Sequence, residues 1–101
     1  MITVKNEAGA PVVVQAACVI RGRVVRDRPR LLNMNDTSPG IAMPGDKVIT
    51  VYDARVPTRV LFQGVVPAGL TDQAYRVIPD PKGPGVKLEQ VKPAGGGMGG
   101  R

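Results

Sequence analysis

The sequence predicts an all-β protein. The expected architecture is a single antiparallel β-sandwich, immunoglobulin-like or jelly-roll-like, with about seven short strands over residues 1–92 and a flexible Gly-rich C-terminal tail at 93–101. Three observations predict it. Valine-rich runs alternate apolar and polar residues with a period of two. Turn formers, drawn from 13 glycines and 10 prolines, separate those runs at short intervals. No internal repeat, heptad or strand–helix–strand unit is present.

The opening stretch, MITVKNEAGAPVVVQ, reads as strand, turn, strand. Ile2 and Val4 alternate with Thr3 and Lys5, Asn6 and Gly9 supply the turn, and Pro11 marks the next strand's edge. From Val12 the even positions (Val12, Val14, Ala16, Cys18, Ile20, Gly22, Val24) are apolar, while the odd positions become polar towards Arg21 and Arg23. The triple valine and Gly22 favour a strand over a helix. The pattern predicts one long, half-buried strand with the even set facing the core, Cys18 included as a small apolar filler. Arg21 and Arg23 are then expected on its outer face. If the strand simply continued, Arg26, Arg28 and Arg30 would enter the core. Three unpaired charges cannot be buried, so the strand is expected to bulge or end near Val25–Asp27. Pro29 fits an edge or a turn, and Leu31 and Leu32 return to the core.

NMNDTSPG is a loop by composition. A Pro-Gly turn then leads into a strand from Lys47 to Tyr52, whose apolar residues occupy both parities. The following run places Val60, Phe62 and Val66 on one face with Gly64, and Leu61, Gln63 and Val65 on the other. AGLTDQ is read as a connection with a short helical turn. In the next strand Tyr75 and Val77 oppose Arg76 and Ile78, and in the last Val86 and Leu88 oppose Lys87 and Glu89.

The chemistry available is narrow. With no histidine there is no imidazole to act as base, metal ligand or nucleophile activator. A single cysteine, Cys18, allows neither an intrachain disulfide nor a Cys-based metal site. The acids fall mostly in turns, where they cap backbone. Asn33, Asn35 and Asp36 loosely follow calcium-ligand spacing, but no closing Glu follows. There is no phosphate-cradling glycine motif, no apolar run long enough to span a membrane as a helix, and no signal-like N-terminus in MITVKNEAG. Catalysis, a metal, a cofactor and a small-molecule substrate are not expected.

Charge is the remaining signal. Fourteen bases less eight acids give +6. Residues 1–30 hold six bases and two acids (+4), and residues 33–54 hold one base and three acids (−2). Arg21, Arg23, Arg26, Arg28 and Arg30 are therefore candidate contacts to an anionic partner or an interface, with Asp36, Asp46 and Asp53 as the candidate complementary acidic patch. The reading that fits most features is a non-enzymatic assembly module, a coat, decoration or filament-type subunit of a virion or extracellular assembly or a cytoplasmic one, whose partner is itself or a larger protein assembly. The first alternative is a basic nucleic-acid-binding β domain using the arginine cluster. The second is a secreted adhesion or carbohydrate-binding sandwich.

Overall fold

A computed structural model describes residues 1–56, 58–68, 72–83 and 85–91. The expected tail at 93–101 lies outside the described residues, as do Gly69, Leu70 and Thr71 of the expected helical connection. Among the described residues there is no helix, and eight strands form two sheets. The strands are β1 (Ile2–Asn6), β2 (Val12–Ile20), β3 (Arg23–Arg26), β4 (Arg30–Leu32), β5 (Lys47–Asp53), β6 (Val60–Val66), β7 (Gln73–Pro79) and β8 (Val86–Val91).

One sheet has the order β3-β2-β5-β6, with β4 also paired to β2. Val12–Val14 pair with β4 on one side and β5 on the other, and Ala17 likewise pairs with Arg26 of β3 and Val48 of β5. β3 and β4 therefore lie end to end on the same edge of β2, as two halves of one interrupted strand. The second sheet has the order β1-β7-β8. Its β1–β7 pairing is parallel, which corrects the expectation of a purely antiparallel protein. Parallel neighbours cannot be joined by a tight hairpin, and here most of the chain intervenes between them. The free side of β1 is covered by the segment expected as a loop. Ile2 and Ile41 exchange backbone hydrogen bonds of 3.0 and 2.7 Å, and the Ser38 N–H donates to Val4 O at 2.8 Å.

One apolar cluster draws its residues from both sheets. β1 and β7 contribute Ile2, Val4, Tyr75 and Val77. The larger sheet contributes Val12, Val14, Ala16, Leu32, Ile49, Val51 and Val66, and Ile41 completes the cluster. The even-numbered face of β2 is buried as the alternation predicts, through Cys18 but no further. Tyr75 and Val77 are buried and Arg76 faces outward, again as alternation predicts. Burial pushes the Tyr75 hydroxyl's pKa up. On β6 the phase differs from the expectation. The register shifts between Val51 and Tyr52, so Val51 faces Phe62 but Tyr52 faces Val60. Leu61 is the extra residue, and Val60 moves to the outer face, where it is 52% exposed. The larger and smaller sheets also approach where β8 begins. A side chain at Gly85 would place a Cβ 2.8 Å from the backbone oxygen of Leu61, so only glycine fits there.

The two sheets are tied together at one end by Asn6, which is completely buried. Its amide nitrogen donates to Ala10 O at 2.8 Å, Leu32 O at 2.9 Å and Asn33 O at 3.3 Å, and its Oδ1 accepts the Ala8 N–H at 2.9 Å. Sequence reasoning assigned Asn6 to a turn and missed this role, which depends on residues 26 and 27 positions away.

The smaller sheet carries an outward ion-pair row. Arg76 and Glu89 face each other across β7 and β8, with Arg76 Nε donating to Glu89 Oε1 at 2.8 Å. Glu7 also reaches Arg76, at 3.4 Å. Hydrogen bonding from Arg76 holds the Glu89 carboxyl below its ordinary range. Such exposed pairs contribute little to stability individually.

Replacing Asn6 by alanine removes the donor to three carbonyls and the acceptor of one N–H at a buried site. The expected cost is about 3 kcal/mol, which lowers Tm by roughly 12 °C or more. Asn6→Asp keeps the acceptor but loses the donors and buries a charge, so at neutral pH it should cost more than alanine. Urea unfolding of both variants checks this, and a cost under about 1 kcal/mol for either contradicts the tie.

Candidate functional site

The arginine-rich stretch forms a projecting hairpin. β2 is valine-rich and extends to Ile20, but its pairing with β5 stops at Ala17↔Val48. Beyond that point it has one neighbour, β3, which returns through Val25 opposite Cys18, Val24 opposite Val19 and Arg23 opposite Ile20. Arg21 and Gly22 form the two-residue connection with φ of 52° and 79°. Positive φ at both central residues is what a type I′ hairpin turn requires, and its twist matches that of the flanking strands. Every residue from Val19 to Arg26 is exposed. The result is an arm, a two-stranded ribbon with no layer on either face.

This corrects the expected placement of Arg21, Arg23 and Val24. The strand does not run straight to Val24, and Arg21 lies in the turn. A two-residue hairpin pairs position 20 with position 23, so parity changes across it. Arg23 shares the face of Ile20 and Cys18, whereas Val24 shares the outer face with Val19.

The expected bulge is present, slightly later than its earliest predicted position. Between the Ala17↔Arg26 and Val14↔Arg30 pairs, two residues of β2 face three residues, Asp27 to Pro29. The Asp27 N–H donates to Ala16 O at 2.8 Å, and Gln15 Nε2 donates to Asp27 O at 2.9 Å. Arg30 closes the bulge, giving Nε and Nη2 to Asp27 Oδ2 at 3.2 and 2.9 Å. Partial desolvation works against the Asp27 charge. The Arg30 hydrogen bonds, the Arg28 backbone N–H and the positive charges of Arg30 and Arg28 outweigh it and hold the carboxyl below its ordinary 3.8.

The five candidate arginines therefore divide. Arg30 is half-buried and committed to Asp27. Arg21 at the tip, Arg23 on the inner side, Arg26 on the outer side and Arg28 in the bulge are exposed, and none forms an ion pair among the described residues.

The acidic candidates do not form one patch. Asp36 accepts the Asn33 N–H at 3.1 Å, Asp46 accepts the Ala68 N–H at 2.9 Å, and buried Asp53 accepts the Arg55 N–H at 2.9 Å. That backbone bond, chiefly, lowers the Asp53 pKa. Asp46 and Asp53 sit at opposite ends of β5, about 20 Å apart. Asp36 lies with Asp53, at the end away from the arm. Asp36 and Asp53 close local backbone, as short polar side chains in turns and at strand ends do, whereas Asp46 reaches the backbone of a residue 22 positions away.

A second surface was not anticipated. The outer face of the larger sheet is ordered in rows across β3/β4, β2, β5 and β6: Val24 and Val19; Arg26, Ala17, Val48 and Val65; Gln15, Thr50 and Gln63; Leu31, Val13, Tyr52 and Val60. Val19, Val24, Leu31, Val60 and Val65 are each more than half exposed. Arg26 is the one charged side chain in these rows. A solvated antiparallel sheet normally alternates apolar-in with polar-out. The signal was present in the apolar residues of both parities along β5, but their two faces differ: Ile49 and Val51 are fully buried and Val48 is 36% exposed.

Among the described residues no cluster of three or more His, Cys, Asp or Glu side chains could hold a metal ion, and no helix is long and apolar enough to cross a membrane. The aromatic residues offer no exposed platform: Tyr75 is buried, and Tyr52 and Phe62 are half-buried. Comparison of the chain with protein-family models, curated proteins and solved structures gives no match.

The Asp27–Arg30 pair sets an acid dependence. Because the folded-state pKa lies below the unfolded value, the pair's stabilisation is present above about pH 4 and disappears as pH falls through the folded pKa. Asp27→Asn should abolish that part of the acid response and increase amide exchange at the bulge, with core amides unchanged. Hydrogen exchange at neutral and acid pH measures both. An unchanged acid profile in the variant contradicts the assignment.

Proposed function

We propose that this chain is a non-enzymatic assembly module. In this reading its two sheets form a β-sandwich, and the outer face of the five-stranded sheet packs against the same face of a second copy. The observation that carries the reading is the composition of that face: rows of exposed valine and leucine, a neutral Gln15–Thr50–Gln63 row, and a single charge at its edge. An uncharged surface of this kind can meet its own copy across a two-fold axis without opposing like charges at its centre. Sheets packed face to face bury such rows at about 10 Å separation.

Area decides the expected strength. Four strands at ~4.8 Å spacing and about 25 Å of strand length give roughly 500 Å² per copy, or about 1,000 Å² in total. That is the low end for a specific interface, the size class of weak and transient association. Each copy also carries +6, so the copies repel and added salt should tighten the dimer.

Sedimentation from low micromolar to millimolar concentration tests the proposal. The weight-average mass should rise above 10.6 kDa with concentration, and further at high salt. Leu31→Gln with Val65→Gln, both exposed and charge-neutral, should weaken association at least tenfold and leave thermal unfolding of the monomer unchanged. A 10.6 kDa species at every concentration and salt level overturns it.

A further inference from the structure

We propose that the β2–β3 arm binds double-stranded DNA, with the ribbon lying in the major groove and Arg21, Arg23, Arg26 and Arg28 on the phosphates. The site is separate from the sheet-packing surface over most of its extent, and the inference does not rest on self-association.

Four observations lead to it. The first is charge without a partner. Asp27, the acid within the arm's own stretch, is held by Arg30, and Asp46, beside the root of the arm, accepts the Ala68 N–H, which leaves four guanidinium groups exposed and without an ion pair among the described residues. Planar guanidinium groups are suited to phosphate oxygens. The second is shape. Because the pairing of β2 with β5 stops at Ala17↔Val48, residues 19–25 have no third strand beside them and all are exposed. Two strands about 4.8 Å apart, with side chains, match a groove about 12 Å wide that admits a β-ribbon. The third is disposition. Arg21 is at the tip, Arg23 and Arg26 are on opposite faces, and Arg28 is at the base, so one inserted ribbon reaches phosphates on both walls. The fourth is backbone conformation. Arg21 has φ 52°, a left-handed conformation that glycine or asparagine adopts at lower cost. A long cationic side chain held there against local preference is accounted for by what the side chain contacts.

The same features favour duplex DNA over other polyanions. Single-stranded DNA and RNA are gripped by stacking on exposed aromatic rings, and Tyr52, Phe62 and Tyr75 are all at least half-buried. Double-stranded RNA has a major groove too deep and narrow for such a ribbon. Val24, Val25 and Ile20 add neutral, apolar contacts that suit thymine methyl groups and bring no acid near the phosphates.

The test is fluorescence anisotropy with a short labelled duplex, titrated over a range of salt concentrations. Parallel arms use the same sequence as a single strand, an RNA duplex, vesicles containing phosphatidylserine, and polyglutamate. Four phosphate contacts predict a slope near −3.6 in log K against log salt. Arg21→Gln with Arg23→Gln should weaken duplex binding at least about tenfold and bring the slope to about −1.8. Arg55→Gln with Arg59→Gln removes the same charge from the opposite end of β5 and should change neither quantity appreciably. Leu31→Gln with Val65→Gln should retain DNA binding, which separates this inference from the assembly reading. The inference is overturned by absence of duplex binding at low salt, by equal losses in the two arginine pairs, or by preference for single strands, RNA, vesicles or polyglutamate. Circular dichroism confirms that the arm variants are folded. Their substitutions are fully exposed, so a folding defect would itself contradict the arm as described.

Discussion

The fold depends on the buried side chain of Asn6. Its backbone belongs to β1, where it pairs with Val77 of the smaller sheet. Its amide reaches Leu32 O, at the end of β4 in the larger sheet, and Ala10 O, just before β2 begins. Its N–H donates to Asp36 O at 2.9 Å and its carbonyl accepts from Asn35 at 2.7 Å, so the loop after β4 is also fixed. Apolar contact between sheets is non-directional and by itself leaves their relative position loosely specified. A buried amide with four good partners is directional, and its donors and acceptor have no comparable alternative once water is excluded. Among the described residues no buried side-chain nitrogen or oxygen lacks a partner.

The other end of the molecule has no such constraint. β2 passes from a position with neighbours on both sides to one with a single neighbour within three residues, Ala17 to Ile20. What fixes the arm is its root. The bulge at Asp27–Pro29 increases local twist and re-aims the edge strand, and Gln15 and Arg30 both hold Asp27, one at its carbonyl and the other at its carboxylate. Asp27 thereby removes one arginine from the charge the arm presents and anchors the other four. The basic stretch has two physical roles, structural at Arg30 and exposed everywhere else.

Much of this was legible in the sequence, for identifiable reasons. The even face of β2 and the faces of β7 follow from alternation, because a strand half in the core has no freedom of phase. The bulge follows from the cost of burying three arginines. The hairpin was missed because its turn is Arg-Gly rather than Asn-Gly or Asp-Gly, and because the apolar alternation runs through it unbroken. Only pairing shows that Val24 has changed face. Val60 was misplaced for a related reason, since the register shift opposite Tyr52 depends on the partner strand. The parallel β1–β7 pairing and the Asn6 tie are long-range and leave no local signature. The count of acidic candidates along the chain suggests a patch, but Asp53 ends β5 and Asp46 precedes its other end.

Edge protection is the competing account of the exposed arginines, and it covers part of the observation. Open strand edges invite unwanted pairing, and charged residues on them discourage it. Arg23 and Arg26 lie on the ladder of β3 and fit that role. Arg21 and Arg28 do not, since one is in the turn and the other in the bulge, where no ladder continues. Protection is also served by any charged side chain, most often by lysine. The arm uses one sign and one side chain at four positions, and its only acid is folded away against Arg30. Protecting an edge does not require that uniformity, whereas binding an anion along the whole length of the ribbon does.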